Sequence, residues 1–249
     1  MSARDPIGPE CFGGSDRPLL DLTSARRSDA DEIAARPYVY RGPHVQLING
    51  DAWYPYSPRA SEVRLAHARA LSRTNRFGGH TRLWVDQYNT AHHSVLVCRR
   101  VLDLGGTKLD GLGALGHDNH EAAPPGDMMG PFLRAWSDPR ACALLGLTPA
   151  AFDGIAAVVQ LAKMAWREAL GIAPAFIDQR SAALIRRADM EVLATERRDL
   201  MATPGVDWGN LPAPLPEPID PWSPSHSWAE FQDMFYELGG DKVAMPGVV

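Results

Sequence analysis

The chain has 249 residues, 45% of them hydrophobic and 22% charged, which fits one large folded domain with terminal tails. Its net charge of −5 excludes a broad nucleic-acid-binding face, because that function needs clustered basic residues. The cysteines Cys11, Cys98 and Cys142 are widely spaced and form no CxxC motif, so we expect neither a disulfide scaffold nor a zinc ribbon.

The sequence shows no sign of a membrane segment. No apolar run approaches the roughly 20 residues that a membrane-spanning helix requires. The stretch from Met1 to Gly14 also lacks the apolar core of a secretory signal. We therefore expect a cytoplasmic protein without a membrane partner.

The first part of the chain is predicted to be irregular, with one hairpin. Residues 1–37 mix Arg, Asp, Ser and Pro with little periodicity, which predicts a mobile N-terminal arm. Weak alternation from Tyr38 to Tyr56, around an Asn49-Gly50 turn signal, predicts a short β-hairpin. Ser61 is predicted to cap the helix that follows.

Helical periodicity dominates the rest of the chain. It predicts helices at about residues 90–102, 112–123, 149–170 and 178–200, a further segment at 131–145, and a short amphipathic stretch at 228–238. The fold class is therefore predicted to be all-α, a helical bundle with a small N-terminal β-hairpin. We expect one domain over residues 38–205, and a Pro-rich linker with a C-terminal extension over 206–249.

The clearest chemical signal is the dipeptide His117-Asp118, followed by Glu121. On a helix, Glu121 lies three and four positions after this pair and therefore shares its face. An imidazole beside a carboxylate suits a divalent metal, and the second carboxylate suits proton transfer.

Two further side chains that can bind a metal lie on apolar faces of predicted helices. Asp189 shares its face with Val192 and Leu193, and an ionised carboxylate there is costly unless a metal or another cation pairs with it. His93 has similarly apolar neighbours, and Glu196 continues the face of Asp189 as a candidate supporting residue.

Each of these residues, taken alone, also has an ordinary structural explanation. A buried histidine is more often a hydrogen-bonded core residue than a ligand, and a His-Asp dipeptide occurs by chance in many proteins. Asp189 has Arg186 and Arg187 as alternative partners on its own helix. Spacing alone does not decide between these explanations.

Five separated signatures follow one another along the chain. They are Arg76-Phe77, Ala91-His92-His93-Ser94, His117-Asp118-Asn119-His120-Glu121, Gly126-Asp127 and Ala188-Asp189. This order resembles the metal-dependent phosphohydrolases of the HD superfamily. It is most similar to the bacterial 5′-deoxynucleotidase branch and to phage deoxynucleotide (dATP) triphosphohydrolases, over about residues 60–200. The resemblance implies an HD-domain helical bundle.

The resemblance also implies a ligand set for one divalent transition metal. The ligands would be His93, His117, Asp118 and Asp189, and the ion would be Co, Mn, Zn, Fe or Ni. Mg is a further candidate ion for the substrate phosphates. The resemblance gives Glu121 the role of activating water.

The resemblance also implies that other residues bind the substrate. By resemblance, Asp127 orients the substrate, although two prolines lengthen the step that leads to it. Arg76 and Phe77 match the residues that contact phosphate and sugar. His80, in the glycine-rich loop, is a further candidate for substrate contact, and Arg82 and Lys163 are each either a phosphate partner or a solvated surface residue.

The implied function is hydrolysis of a phosphoester of a 2′-deoxynucleotide. A small-molecule nucleotide is the expected partner, nucleic acid is not, and we expect a homo-oligomer. Release of phosphate from a monophosphate is slightly favoured over release of tripolyphosphate from a dNTP, and both stay open. The alternatives are a non-catalytic nucleotide-binding HD sensor and an HD enzyme that acts on a cyclic dinucleotide or alarmone.

Overall fold

The computed structural model describes residues 41–124, 126–131, 138–146, 150–171, 179–203 and 208–243. The predicted N-terminal arm lies outside these residues. Within them the chain is mostly helical with one small two-stranded antiparallel sheet, which confirms the predicted all-α fold with a β-hairpin. None of the described helices is both long enough and apolar enough to cross a bilayer.

The hairpin consists of strand β1 (Val45–Gln46) and strand β2 (Ala52–Trp53), with Val45 paired to Trp53. Gly50 adopts a φ of +92° in the connecting turn, a conformation that favours glycine. Trp53 is only 2% exposed and joins the main hydrophobic core. The hairpin is thus attached to the helical body through this indole.

The helix predicted after Ser61 is broken into short pieces, so the prediction that Ser61 caps it was wrong. A 3₁₀ turn (Ala60–Glu62) precedes helix α1 (Leu65–Ala68), and a second 3₁₀ turn (Arg69–Ser72) follows it. The residue that caps α1 is Arg64, whose backbone N–H donates to His67 Nδ1 at 3.1 Å.

Seven further α-helices lie within the residues that the structure describes. They are α2 (Thr90–Asp103), α3 (Lys108–Leu115), α4 (Pro139–Leu145), α5 (Ala150–Ala169), α6 (Gln179–Leu200), α7 (Pro224–Glu237) and α8 (Gly240–Val243). Helix α2 is central, because α3, α6 and α7 all pack against it. It begins at Asn89, whose side chain accepts from the backbone N–H of His92.

The helix predicted over residues 112–123 ends early, and this correction matters for the site. Helix α3 stops at Leu115, and a 3₁₀ turn (Asn119–Ala122) follows. Gly116 caps the end of α3, and a Cβ there would lie 2.8 Å from a terminal methyl of Leu170 and would displace that side chain. His117 and Asp118 therefore lie in a turn and not on a continuous helix.

The segment 208–243 packs against the helix that carries His93. Trp222 stacks on His92 with ring centroids 3.8 Å apart and an interplanar angle of 6°. Asn89 Nδ2 donates to Ser227 Oγ at 3.0 Å, so the residue that caps α2 is itself held by α7. The predicted domain boundary at residue 205 stays a prediction, but the contacts of α7 make it part of the surroundings of α2.

Truncation of Phe235 should test this packing. Phe235 is 1% exposed and contacts Gly240 in the next helix, so Phe235→Ala should lower the free energy of unfolding by about 3–5 kcal/mol. Tyr236→Ala is the control: Tyr236 is 45% exposed, and its loss should change stability by less than about 1 kcal/mol. Urea denaturation measures both, and equal effects would contradict the packing of α7 onto the body.

Candidate metal centre

Three elements bring the four predicted metal ligands together. His93 Nε2 lies 3.3 Å from both His117 Nε2 and Asp189 Oδ1. Asp118 Oδ2 lies 3.2 Å from His117 Nε2 and 3.8 Å from His93 Nε2. Ligand atoms that bind one ion at about 2.0–2.2 Å lie about 3–4 Å from one another. The spacing of the His93, His117 and Asp118 atoms therefore fits a shared metal ion, and the Asp189 carboxylate lies next to His93.

Hydrogen bonds fix which ring nitrogen each histidine presents to the cluster. His93 Nδ1–H donates to Glu196 Oε1 at 2.7 Å, and His117 Nδ1–H donates to the Ala114 carbonyl at 2.6 Å. Each ring thus turns Nε2 toward the other ring, and two Nε2 atoms this close need either a shared proton or a metal ion between them. This buried His/Asp group could hold a metal ion.

The charges of the cluster are consistent with cation binding. Burial disfavours the charged form of His117, but the carboxylates of Asp118 and Asp189 outweigh it and raise the pKa of His117 to about 9. Burial alone would raise the pKa of Asp189. The hydrogen bond to His93 acts against burial, and the pKa of Asp189 is lowered. A metal at this cluster would therefore compete with protons, because the ligands must be deprotonated to bind it.

Glu196 supports the cluster from behind. Its Oε1 accepts from His93 Nδ1 and from the Tyr88 hydroxyl, each at 2.7 Å, and lies 3.3 Å from Arg76 Nε. Although burial raises a carboxyl pKa, the charges of Arg76 and His93 keep the pKa of Glu196 below its ordinary value. The sequence placed Glu196 on the face of Asp189, but it gave no indication of Tyr88.

Arg76 lies at the edge of the cluster. Its guanidinium is buried, with Nη1 3.5 Å from Asp118 Oδ2 and Nη2 3.4 Å from Glu196 Oε2. The backbone N–H of Arg76 donates to the Tyr88 carbonyl, so the loop of Arg76 is paired to the segment that leads into α2.

Phe77 and Asp127 also come together, but in a structural contact. Phe77 has a φ of +56°, which is strained for a residue with a side chain, and its backbone N–H donates to Asp127 Oδ2 at 2.8 Å. The Phe77 ring packs against Trp208, with centroids 5.9 Å apart. Asp127 therefore holds the strained turn that carries Arg76, and its predicted role toward substrate stays a prediction.

Glu121 lies in a second cluster that also contains Asp118. Its Oε2 accepts from Thr90 Oγ1 at 3.1 Å. Burial, together with the neighbouring Asp118 and Asp127, raises the pKa of Glu121 well above its ordinary value. Asp118, His120 and Glu121 form a second group close enough to hold an ion, and burial lowers the pKa of His120 to about 4.

A cavity of about 310 Å³ opens beside the cluster. Its lining includes His117, Asp118 and Asp189, and also three basic side chains: Lys163, Arg167 and Arg186. The sequence indicated Lys163 as a candidate phosphate partner. Arg167 follows it by four residues, and this i,i+4 spacing is a signal that could have identified Arg167 as well. The described residues that line this cavity do not include Arg76, Phe77 or His80, and His80 is exposed.

The geometry also bears on the partner of Asp189. Arg187 pairs with Glu191 at 2.9 Å, whereas the Asp189 carboxylate lies 3.3 Å from His93 Nε2. His92, the neighbour of His93, stacks on Trp222.

Comparison with known proteins adds no assignment. No protein-family model matches the chain, and its sequence matches no curated protein. The function must therefore be argued from the motif order and from the geometry of the described residues.

Replacing Glu196 should weaken metal binding without removing a ligand. Glu196→Gln removes the charge that orients His93, and loss of such a supporting partner typically lowers metal affinity about 10- to 100-fold. Glu191→Gln, one and a half turns earlier on α6 and paired with Arg100 and Arg187, is the matched control. Titration with Co or Mn measures both variants. Equal affinities for the two would show that Glu196 does not position His93.

Proposed function

We propose that this chain is a metal-dependent phosphohydrolase of the HD type that hydrolyses the phosphoester of a 2′-deoxynucleotide. The observation that carries the proposal is the facing pair of Nε2 atoms in His93 and His117, 3.3 Å apart and flanked by the carboxylates of Asp118 and Asp189. This mixed nitrogen and oxygen set suits Mn, Fe, Co, Ni or Zn. The preference for deoxynucleotides rests on the resemblance of Arg76-Phe77 to the family motif.

His117, Asp118 and Asp189 line the cavity, so substrate would reach an ion bound at the proposed ligands from that side. A divalent ion bound there would supply a Lewis acid that polarises a phosphoryl group and makes a water molecule more acidic. His93 is completely buried, whereas Asp189 is about one-third exposed, so substrate would approach from the side of Asp189.

Glu121 is the proposed general base. Its raised pKa brings the carboxylate closer in basicity to the working pH, which favours proton transfer. Thr90 donates to one of its oxygens and orients the group. As the oxygen of water bonds to phosphorus, Glu121 takes its proton. The ester bond from phosphorus to the nucleoside oxygen breaks, and the proton is returned to that oxygen.

Arg76 is the proposed neutralising group for the phosphate. Although burial disfavours its charge, Glu196 and Asp118 raise the pKa of Arg76 above its ordinary value, so it stays charged. Asp118 is shared between the proposed metal site and this guanidinium, which lies 3.5 Å away. Such fixed charges stabilise the negative charge that develops on a reacting phosphoryl group.

Metal dependence tests the centre of the proposal. Wild type with Mn or Co should hydrolyse deoxynucleotides, chelation should abolish the activity, and added metal should restore it. Asp189→Ala should lose bound metal by elemental analysis, because one of its carboxylate oxygens lies 3.3 Å from His93 Nε2. Asp199→Asn is the control, since Asp199 lies further along α6 and pairs with Arg198. Full metal occupancy in Asp189→Ala would remove Asp189 from the ligand set.

Glu121→Gln separates catalysis from binding. The variant keeps the shape of the side chain and removes the base, so kcat should fall by about 100-fold or more. Metal content and nucleotide affinity should stay near those of wild type, which would indicate a role in the transition state. Turnover equal to wild type would show that another group activates water. A wild type that binds nucleotide but hydrolyses none would support the sensor in place of the enzyme.

A further inference from the structure

Three basic side chains share the cavity beside the proposed metal centre, and we call them the basic arm: Lys163, Arg167 and Arg186. Lys163 and Arg167 lie four residues apart on α5 and therefore on one face. Arg186 precedes Asp189 by three residues on α6, so this arginine and a proposed ligand share a face. The cavity is thus anionic where the metal would bind and cationic beside it.

The basic arm is not neutralised by the part of the protein that the structure describes. Among those residues, no carboxylate lies within ion-pair distance of Lys163, Arg167 or Arg186. By contrast, Arg187, the neighbour of Arg186, pairs with Glu191 at 2.9 Å. Three like charges around one cavity repel one another, and an anionic ligand removes that cost.

We propose that the basic arm binds the phosphates that lie beyond the one at the metal centre. The preferred substrate is then a nucleoside triphosphate and not a monophosphate. This inference rests on the proposed function, and it decides the phosphate count that the sequence left open. Hydrolysis of the same ester bond in a nucleoside triphosphate releases the three linked phosphates as inorganic tripolyphosphate.

The chemistry of the basic arm fits a chain of linked phosphates better than a single phosphate or a nucleic acid. Phosphate oxygens accept charge-assisted hydrogen bonds from Lys and Arg, and each further phosphate adds negative charge. The phosphate of a monophosphate would lie at the metal centre, where Arg76 is beside Asp118. The basic arm would then have no ligand. A cavity of about 310 Å³ suits a small anion, and the chain as a whole carries a net charge of −5, which opposes a polyanion such as nucleic acid.

Substrate selectivity of single variants tests the proposal. We expect wild type with Mn to show a higher kcat/KM for dATP than for dAMP. In Lys163→Ala, Arg167→Ala and Arg186→Ala the ratio of these two values should fall about 10-fold or more, as expected for loss of a charge-assisted hydrogen bond. Arg187→Ala is the matched control, because Arg187 is adjacent to Arg186 but pairs outside the cavity, and it should keep the wild-type ratio. A wild type that prefers dAMP, or a ratio that is unchanged in all three variants, would overturn the proposal.

A second measurement does not depend on catalysis. Calorimetric titration of the chelator-treated protein should show that inorganic tripolyphosphate binds more tightly than orthophosphate, and that each basic-arm variant weakens tripolyphosphate binding. If tripolyphosphate binds in this way but no nucleotide is hydrolysed, the basic arm stands and the proposed function fails. If dAMP is hydrolysed but tripolyphosphate binds wild type and the variants equally, the function stands and the basic arm is refuted.

Discussion

Two imidazole nitrogens that face each other impose the main constraint on this structure. His93 and His117 each donate Nδ1–H elsewhere, so their Nε2 atoms meet at 3.3 Å. The contact is stable only if a cation or a proton lies between the rings and nearby carboxylates neutralise it. Glu196 is the most deeply buried of these carboxylates, and it connects His93 to Tyr88 and Arg76. Removal of any member would leave a buried charge or lone pair without a partner.

The first turn of α2 shows how adjacent residues acquire opposite roles. Successive side chains on a helix point in different directions, so His92 and His93 enter different surroundings. His92 stacks on Trp222, and burial lowers its pKa to about 3, which keeps it neutral. His93 faces carboxylates instead, and its pKa is raised despite burial. Because Asn89 caps this turn and is bound by Ser227, the C-terminal helix α7 belongs to the support of the proposed site.

How much the sequence could predict depended on whether a feature was local. Apolar periodicity located the long helices, and the Asn-Gly pair located the hairpin, because both signals lie within a few residues. The end of α3 at Leu115 was missed, because the prediction used Pro124-Pro125 as the stop signal and not Gly116, which caps the helix. The four proposed ligands were found through the order of the motifs, whereas Tyr88 carries no motif and needed the tertiary structure.

The break at Gly116 has a chemical consequence. On a continuous helix, His117 and Asp118 would point about 100° apart, and only a narrow range of ion positions would satisfy both. In the turn, His117 Nε2 and Asp118 Oδ2 instead come within 3.2 Å of each other, and the following 3₁₀ turn places His120 and Glu121 near the same Asp118. Asp118 thus belongs both to the group proposed to hold the ion and to the group that contains the proposed base. Burial raises the pKa of Glu121 and the charge of Asp118 adds to that effect, while the same carboxylate favours the charged form of His117. The turn that follows Leu115 therefore places one aspartate where it can serve both halves of the proposed site.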